Sequence, residues 1–253
     1  MNSEMAQSRF EAYANILKYH GPIRGSRRIL DQITQIDLYD LCYGTNFSQV
    51  LGGNDFYDQV NQMNRAAIMH YQPVYTAAIR QPLKYLETNY PILGTPSACF
   101  IDLGCGRGKS LHIAGLMQEH LTLLGVDISQ ALLMDAAKNL GWKDPTPPCD
   151  AQIFTASLPS HSARACLIRS DVNDVNYNDL LTPYDVVVAF NKNSFDRKTT
   201  KNTAENIREA SAGKSLFYIY SNPVFEEIFA NDTCIFNMSG WHKNWNTKIF
   251  QMA

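Results

Sequence analysis

One run, Phe100-Ile-Asp-Leu-Gly-Cys-Gly-Arg-Gly-Lys109, constrains this chain more than any other part of it. Phe100, Ile101 and Leu103 are apolar, as a buried parallel strand requires. Gly104, Gly106 and Gly108 follow at every second position. Glycine adopts positive φ without a Cβ clash and lets a ligand lie close to the main chain. The pattern predicts a buried strand that enters a glycine turn and then a helix, the opening of an α/β unit.

The pattern before this run differs from the pattern after it. Residues 1–95 read as mostly helical. Apolar Met5, Phe10, Tyr13, Ile16 and Leu17 form a helical stripe over Ser3 to Tyr19. Gly21-Pro22 is expected to end that helix, and a second is expected from near Ser26. Leu41 to Asn54 reads as a Gly- and Asn-rich loop. A longer helix is expected from Tyr57 to Leu86, interrupted near Pro73. From about Ser97 strands and helices alternate, the signature of a parallel sheet. Strands are expected at Cys99–Leu103, Leu121–Val126, Ala165–Arg169, Tyr184–Phe190 and Ser215–Ser221, with helices over Lys109–His120, Gln130–Leu140 and Thr200–Ala210. Trp142 to Ser162, rich in Pro, Ser and Thr, reads as a surface excursion. Thr233–Met238 and Asn246–Met252 have no helix between them and predict an antiparallel hairpin. The expected division is a helical N-terminal cap or substrate region, 1–95, and an α/β core, 96–253.

Composition narrows the class. The chain has 253 residues, 45% hydrophobic and 18% charged, enough for one large domain or a core with a cap. Its net charge of -2 supplies no global basic field for nucleic acid. Lys18, His20, Arg24, Arg27 and Arg28 form a local basic cluster that is either a solvated helix end or a contact for an anionic partner. The six cysteines make no C-x-x-C pair, which argues against a zinc site or a disulfide framework, and no metal site is expected. Cys105 lies within the glycine turn, where close packing competes with a nucleophilic role. No apolar run is long enough to span a membrane, and the first 20 residues carry Glu4, Arg9, Glu11 and Lys18 rather than a secretory stretch. The expectation is a reduced, cytoplasmic protein.

The glycine run resembles the first motif, D-x-G-x-G-x-G, of class I S-adenosylmethionine-dependent methyltransferases. The rival dinucleotide fingerprint, G-x-G-x-x-G, would need a glycine where Lys109 stands. The resemblance implies a Rossmann-like seven-stranded sheet, mostly parallel, closing with the C-terminal hairpin. It also implies that Gly104, Cys105, Gly106 and Gly108 cradle the methionine end of S-adenosylmethionine, with Asp102 near its amino group or capping the turn. Asp127, in Gly-Val-Asp-Ile-Ser, ends the second strand, where a carboxylate can accept two bonds from ribose hydroxyls or cap the next helix. Ile128 follows it in the cofactor set. Asp171 matches the family's acid near adenine, with Asp174 as its competitor.

The fourth strand ends in Asn191-Lys-Asn-Ser-Phe195. This turn is similar to the Asn-Asn-Phe turn of lysine methyltransferases that modify the nucleosome core, and to the Asn-Pro-Phe turn of a poorly characterised bacterial methyltransferase family. That family's Tyr-Gly-Thr, Tyr-x-Pro and Tyr-x-Asn-Pro elements match Tyr43-Gly44-Thr45, Tyr71-Gln72-Pro73 and Tyr220-Ser-Asn-Pro223, while Lys192-Asn193-Ser194 departs from its usual proline. The resemblance implies that Asn191 and Asn193 orient the methyl acceptor, with Asn191 also near the cofactor. Tyr43 and Thr45 either fold over the cofactor as a lid or form an ordinary turn. Tyr71 and Tyr75 line a pocket or belong to the core. The expected function is methylation of a nitrogen on a protein side chain, with S-adenosylhomocysteine as product. A small-molecule acceptor and a non-catalytic cofactor-binding subunit are the alternatives, and nucleic acid is the weaker option.

Overall fold

The computed structural model describes residues 3–48, 73–90, 95–142, 151–158 and 161–252. The chain divides into two compact units, Met1–Ser48 and Gln49–Ala253.

In the first unit a helical stretch, α1, covers Ser3–Gln32 and is broken at Gly21 (φ 72°, ψ 170°). Gly21 breaks it where expected. The next helical turn starts at once rather than near Ser26, because Pro22 has its φ preset for a first helical turn and lacks only an N–H that has no partner there. A π-helical turn, Ile33–Asp37, leads into α2, Leu38–Tyr43. The loop expected from Leu41 therefore begins at Gly44, whose left-handed φ of 67° terminates the helix.

The second unit opens with α3, Ala77–Asn89. The part of the expected Tyr57 to Leu86 helix that covers residues 57–72 lies outside the described residues. Then come β1 Ala98–Leu103, α4 Lys109–Met117, β2 Thr122–Asp127, α5 Gln130–Asn139, β3 Ala151–Ser157, β4 Ser162–Arg169, α6 Tyr177–Leu181, β5 Val186–Asn191, α7 Arg197–Ala210, β6 Ser215–Ser221, β7 Thr233–Met238 and β8 Thr247–Met252. The sheet order is β3-β4-β2-β1-β5-β6-β8-β7. β4, β2, β1, β5 and β6 run parallel, while β8 and β7 close the sheet as an antiparallel hairpin.

All seven expected strands are present in this Rossmann-like methyltransferase layout, and β3 adds an eighth. β3 replaces part of the expected surface excursion and pairs antiparallel with β4, from Ala151↔Ile168 to Ser157↔Ser162. The Pro- and Ser-rich flanks hid a short run with strand formers at Ile153, Phe154 and Thr155. α7 starts at Arg197, three residues before the apolar pattern, because the Asp196 carboxylate accepts from Thr199 N at 2.7 Å and caps it.

β1, β2 and β5 are buried along their whole length, which is why they read as apolar runs. One face of the sheet packs Cys99, Ile101, Leu103, Tyr218, Tyr220 and Phe229 into a single core. Parallel pairing fixes where function can sit. Leu103 pairs with Val126 and Asn191, and Asp127 pairs with Arg169, so β1, β2, β4 and β5 end side by side at one edge.

Candidate functional site

The glycine turn is shaped by backbone conformation. Gly104, Gly106 and Gly108 have φ of 75°, 52° and 79°. The N–H groups of Gly104 and Cys105 both donate to the Val126 carbonyl at 2.9 Å, which ties the turn to the end of β2. At Gly108 a Cβ would stand 3.1 Å from the Ala136 methyl, so this glycine also sets the approach of α4 to α5. At Gly104 a Cβ would stand 3.3 Å from both the Phe195 ring and Ser194 Cβ. That close approach joins the glycine turn to the turn after β5.

Two buried acids lie beneath the turn. Asp127 uses both oxygens: Oδ2 accepts from Gly106 N and Oδ1 from Ser129 N, each at 2.8 Å. Burial raises its pKa, and the bonds from the Ser129, Gly106 and Ile128 N–H groups act against that rise. Asp127 does not cap α5 with its own side chain. Ser129 does so, its Oγ accepting from Leu132 N at 3.4 Å. Ile128 is half-buried between them. Asp102 accepts from Ser110 Oγ in the first turn of α4. Burial, and then the neighbouring Asp127 carboxylate, push the Asp102 pKa well above the usual range. Cys105 is buried, and burial followed by Asp127 and Asp102 pushes its thiol pKa well up. A thiol held protonated is a poor nucleophile, so Cys105 packs rather than reacts.

Asp171 stands just beyond β4, exposed, with its Oδ1 accepting from Asn173 N at 2.8 Å and from Asn173 Nδ2 at 3.0 Å. The Ser170 N–H donates to the Asp127 carbonyl at 3.2 Å, which places Asp171 one residue from the Asp127 backbone. Asp174 is exposed as well, three residues further on.

The turn after β5 is built from neutral side chains. Asn191 is fully buried, its Nδ2 donating to Tyr218 Oη at 3.2 Å while its Oδ1 accepts from Ser194 N at 3.1 Å. Asn193 sits at φ 52°, and its Oδ1 accepts from Tyr220 Oη at 2.9 Å. Two tyrosines of β6 thus hold two asparagines of the neighbouring turn. Sequence reasoning missed Tyr218, and the signal was weak: strand alternation places both tyrosines on one face, but both also read as core. Lys192, between the asparagines, donates from Nζ to the Pro73 carbonyl at 3.0 Å. Tyr75 is buried with its ring edge-on to Trp245 at 5.7 Å, and Tyr71 lies outside the described residues.

Tyr43 and Thr45 belong to the first unit. There Asp40 collects Thr45 Oγ1 at 2.8 Å, Phe47 N at 3.0 Å and Ser48 N at 2.7 Å, while the Tyr43 ring meets Tyr39 at 4.6 Å. Within that unit the Tyr-Gly-Thr element is a turn organised by a buried carboxylate. No helix among the described residues is long and apolar enough to cross a membrane, and no cluster of metal-binding side chains occurs among them.

No protein-family model matches this chain, and no curated protein matches it. Among solved structures it is similar to the magnesium protoporphyrin IX methyltransferase of Synechocystis PCC 6803 with bound SAM, at TM-score 0.46 and 10% identity over 89% of this chain and 96% of that one. It is also similar to an RNA methyltransferase from Salinibacter ruber in complex with S-adenosyl-L-homocysteine, at TM-score 0.45 and 12% identity over 72% and 92%. A third is an rRNA methylase from Streptococcus thermophilus, at TM-score 0.43 and 10% identity over 68% and 97%. The strand order, with its parallel core and terminal antiparallel hairpin, identifies the fold as that of the class I methyltransferases.

Proposed function

We propose that this chain is an S-adenosylmethionine-dependent methyltransferase that methylates a nitrogen on a protein side chain. The observation that carries the donor half is the Asp127 carboxylate at the end of β2, bonded to the Gly106 N–H of a turn of positive-φ glycines. The residues fit the cofactor: a turn free of Cβ atoms for its amino-acid end, and acids at the ends of β1, β2 and β4 for its polar groups. Asp102 and Gly104 to Gly108 would hold the methionine part, Asp127 and Ile128 the ribose, and Asp171 the adenine amino group. Bound there, the cofactor supplies a methyl group already activated by its sulfonium. The protein's task is alignment and exclusion of water, and it needs no metal.

The acceptor half rests on the Asn191 to Phe195 turn, which lies against Gly104. Asn191 acts through the turn, since both ends of its amide are bonded inside the protein. Asn193, held by Tyr220, is the side chain assigned to orient the acceptor amine. In this reading residues 96–253 hold the donor, and the protein works in the cytoplasm.

The test is incubation with methyl-labelled S-adenosylmethionine and lysate of the protein's own host, followed by size fractionation. Label in the macromolecular pool that is lost on protease treatment supports the reading. Label confined to small molecules replaces the acceptor class, and cofactor binding without any transfer makes the chain a binding subunit.

A further inference from the structure

The connection between β7 and β8, residues 239–246, is the part of the functional edge that the site leaves unexplained. Register places it there. Asn191 pairs with Tyr220 and Tyr220 with Lys248, while Ser221 pairs with Thr247 and Thr247 with Met238. The connection therefore leaves the sheet where β5 and β6 end, two to three strand spacings, about 10–14 Å, from Asn191. Within it, the Lys243 ammonium is close enough to act on the amine of Lys192, which stands between Asn191 and Asn193. The connection is a built element. Asn246 accepts at Oδ1 from Gly240 N at 3.1 Å and at its carbonyl from Asn222 N at 2.7 Å, which ties it to the end of β6. His242 Nδ1 accepts from Asn244 N at 3.3 Å and opens a short turn, Lys243–Trp245. The Trp245 ring stands edge-on to Tyr75, and a Cβ at Gly240 would collide with Trp245 Cβ, so a side chain at 240 would force the loop to shift.

This frame turns an indole and an ammonium outward. Trp241 is 37% exposed, although an indole gains much from burial, and Lys243 is exposed two residues on. The field around them is positive. From Thr233 to Ala253 the chain carries Lys243 and Lys248 and no Asp or Glu. Lys248 is paired with Glu226, whereas Lys243 makes no ion pair among the described residues. Tryptophan is enriched among the residues that carry protein–protein affinity. An exposed ammonium attracts a carboxylate and repels a cationic partner. It also disfavours the protonated form of an amine brought next to it, and only the neutral form can attack a methyl group.

We propose that Trp241 and Lys243 receive the acceptor polypeptide, and that the segment they take carries a carboxylate side chain beside the methylated residue. This rests on the reading of the chain as a protein methyltransferase. Trp241 covers the apolar surface of the segment and supplies affinity. Lys243 pairs with the carboxylate and supplies selection, while the Asn191 to Phe195 turn receives the nitrogen itself.

The experiment gives the purified full chain methyl-labelled S-adenosylmethionine and a panel of synthetic peptides. Each peptide has Lys, Arg, His, Gln or Asn at its centre, flanked on both sides by Glu, Gln or Lys. Host lysate protein is the control acceptor. Glu-flanked peptides should be methylated about tenfold faster than Lys-flanked ones, and Lys243→Glu should remove or reverse that order. Trp241→Ala should raise KM for the Glu-flanked peptide about tenfold while S-adenosylmethionine affinity by calorimetry holds, and Trp241→Phe should recover most of the loss. Urea midpoints equal to wild type check that each variant is folded. Labelled lysate protein with no preference for Glu-flanked peptides overturns the inference and leaves the methyltransferase reading standing. A preference that Lys243→Glu does not change, or an unchanged KM in Trp241→Ala, does the same. Absence of label from peptides and lysate protein alike overturns the protein-acceptor reading as well.

Discussion

The glycine turn after β1 and the asparagine turn after β5 meet at Gly104 but are held in opposite ways. The first is fixed by backbone conformation and charge: three glycines at positive φ, with buried Asp102 and Asp127 beneath them. The second is fixed by neutral pairs, Asn191 with Tyr218 and Asn193 with Tyr220, brought from a strand 27 residues away. A site for a cationic donor gains from buried carboxylates, which cost desolvation until a ligand charge offsets it. A turn that must receive an amine and leave it neutral gains from partners that carry no charge. On the proposed reading, the difference means that the donor and acceptor halves of the site can be perturbed separately.

The sharpest separation comes from Asp127→Ala. It removes the acceptor of the Gly106 and Ser129 N–H groups and should weaken S-adenosylmethionine binding by about 2–3 kcal/mol, the scale of charge-assisted hydrogen bonds. Calorimetry reads this directly, and unchanged affinity would remove Asp127 from the donor half. Tyr218→Phe is the matching cut in the neutral half. It leaves the fully buried Asn191 amide without an acceptor and should cost roughly 1–3 kcal/mol in urea unfolding. Cofactor affinity should stay within about 0.5 kcal/mol of wild type, because the change lies outside the charged half. An affinity loss as large as that of Asp127→Ala would mean that the two halves act as one.

How much of this was legible in the sequence follows the same division. Glycines that need positive φ leave a mark at fixed spacing, so Gly104, Gly106 and Gly108 and the acids at strand ends could be placed from residue types alone. The turn after β5 was legible as a place but not as a mechanism. Nothing local to Asn191 reveals that Tyr218 Oη will accept a hydrogen bond from its amide, because strand pairing makes that contact and sequence distance hides it. Lys192 read only as part of the Lys192-Asn193-Ser194 run that departs from the family's usual proline, and its bond to Pro73 joins positions 119 apart. β3 was hidden by its flanks: turn-forming residues on both sides outweighed a short run of strand formers. Ser110 was invisible because a serine in the first turn of a helix carries no spacing signal.

Charge also gives the two halves different pH behaviour, though the effect at any one pH is smaller. Burial raises the Asp102 pKa above its unfolded value, so near neutrality the native state binds more protons than the unfolded chain. The contribution of Asp102 to stability is therefore fully present below about pH 4, its unfolded range, and is lost as pH rises through the raised folded pKa. Asp102→Asn keeps an oxygen to accept from Ser110 and removes the charge. It should unfold at higher urea than wild type at pH 8 and at about the same urea at pH 3.5. Tyr218→Phe should show the same deficit at both pH values. A flat difference for Asp102→Asn would mean that its carboxyl is not buried as an acid.

The smallest effect probes the backbone of the neutral half, where Asn193 imitates the glycine turn by taking φ 52° with a side chain present. Asparagine tolerates this region better than most residues, yet glycine tolerates it with no Cβ penalty. Asn193→Gly therefore gains in strain what it loses in the bond to Tyr220, and its net stability should fall within about 0.5 kcal/mol of wild type. Tyr220→Phe loses the same bond without relieving the backbone and should cost about 1 kcal/mol. If Asn193→Gly is as stable as wild type but transfers no methyl groups while Tyr220→Phe still does, the amide itself meets the acceptor. If both are active, the turn needs only its backbone path, and the neutral half is a scaffold shaped, like the glycine turn, by φ alone.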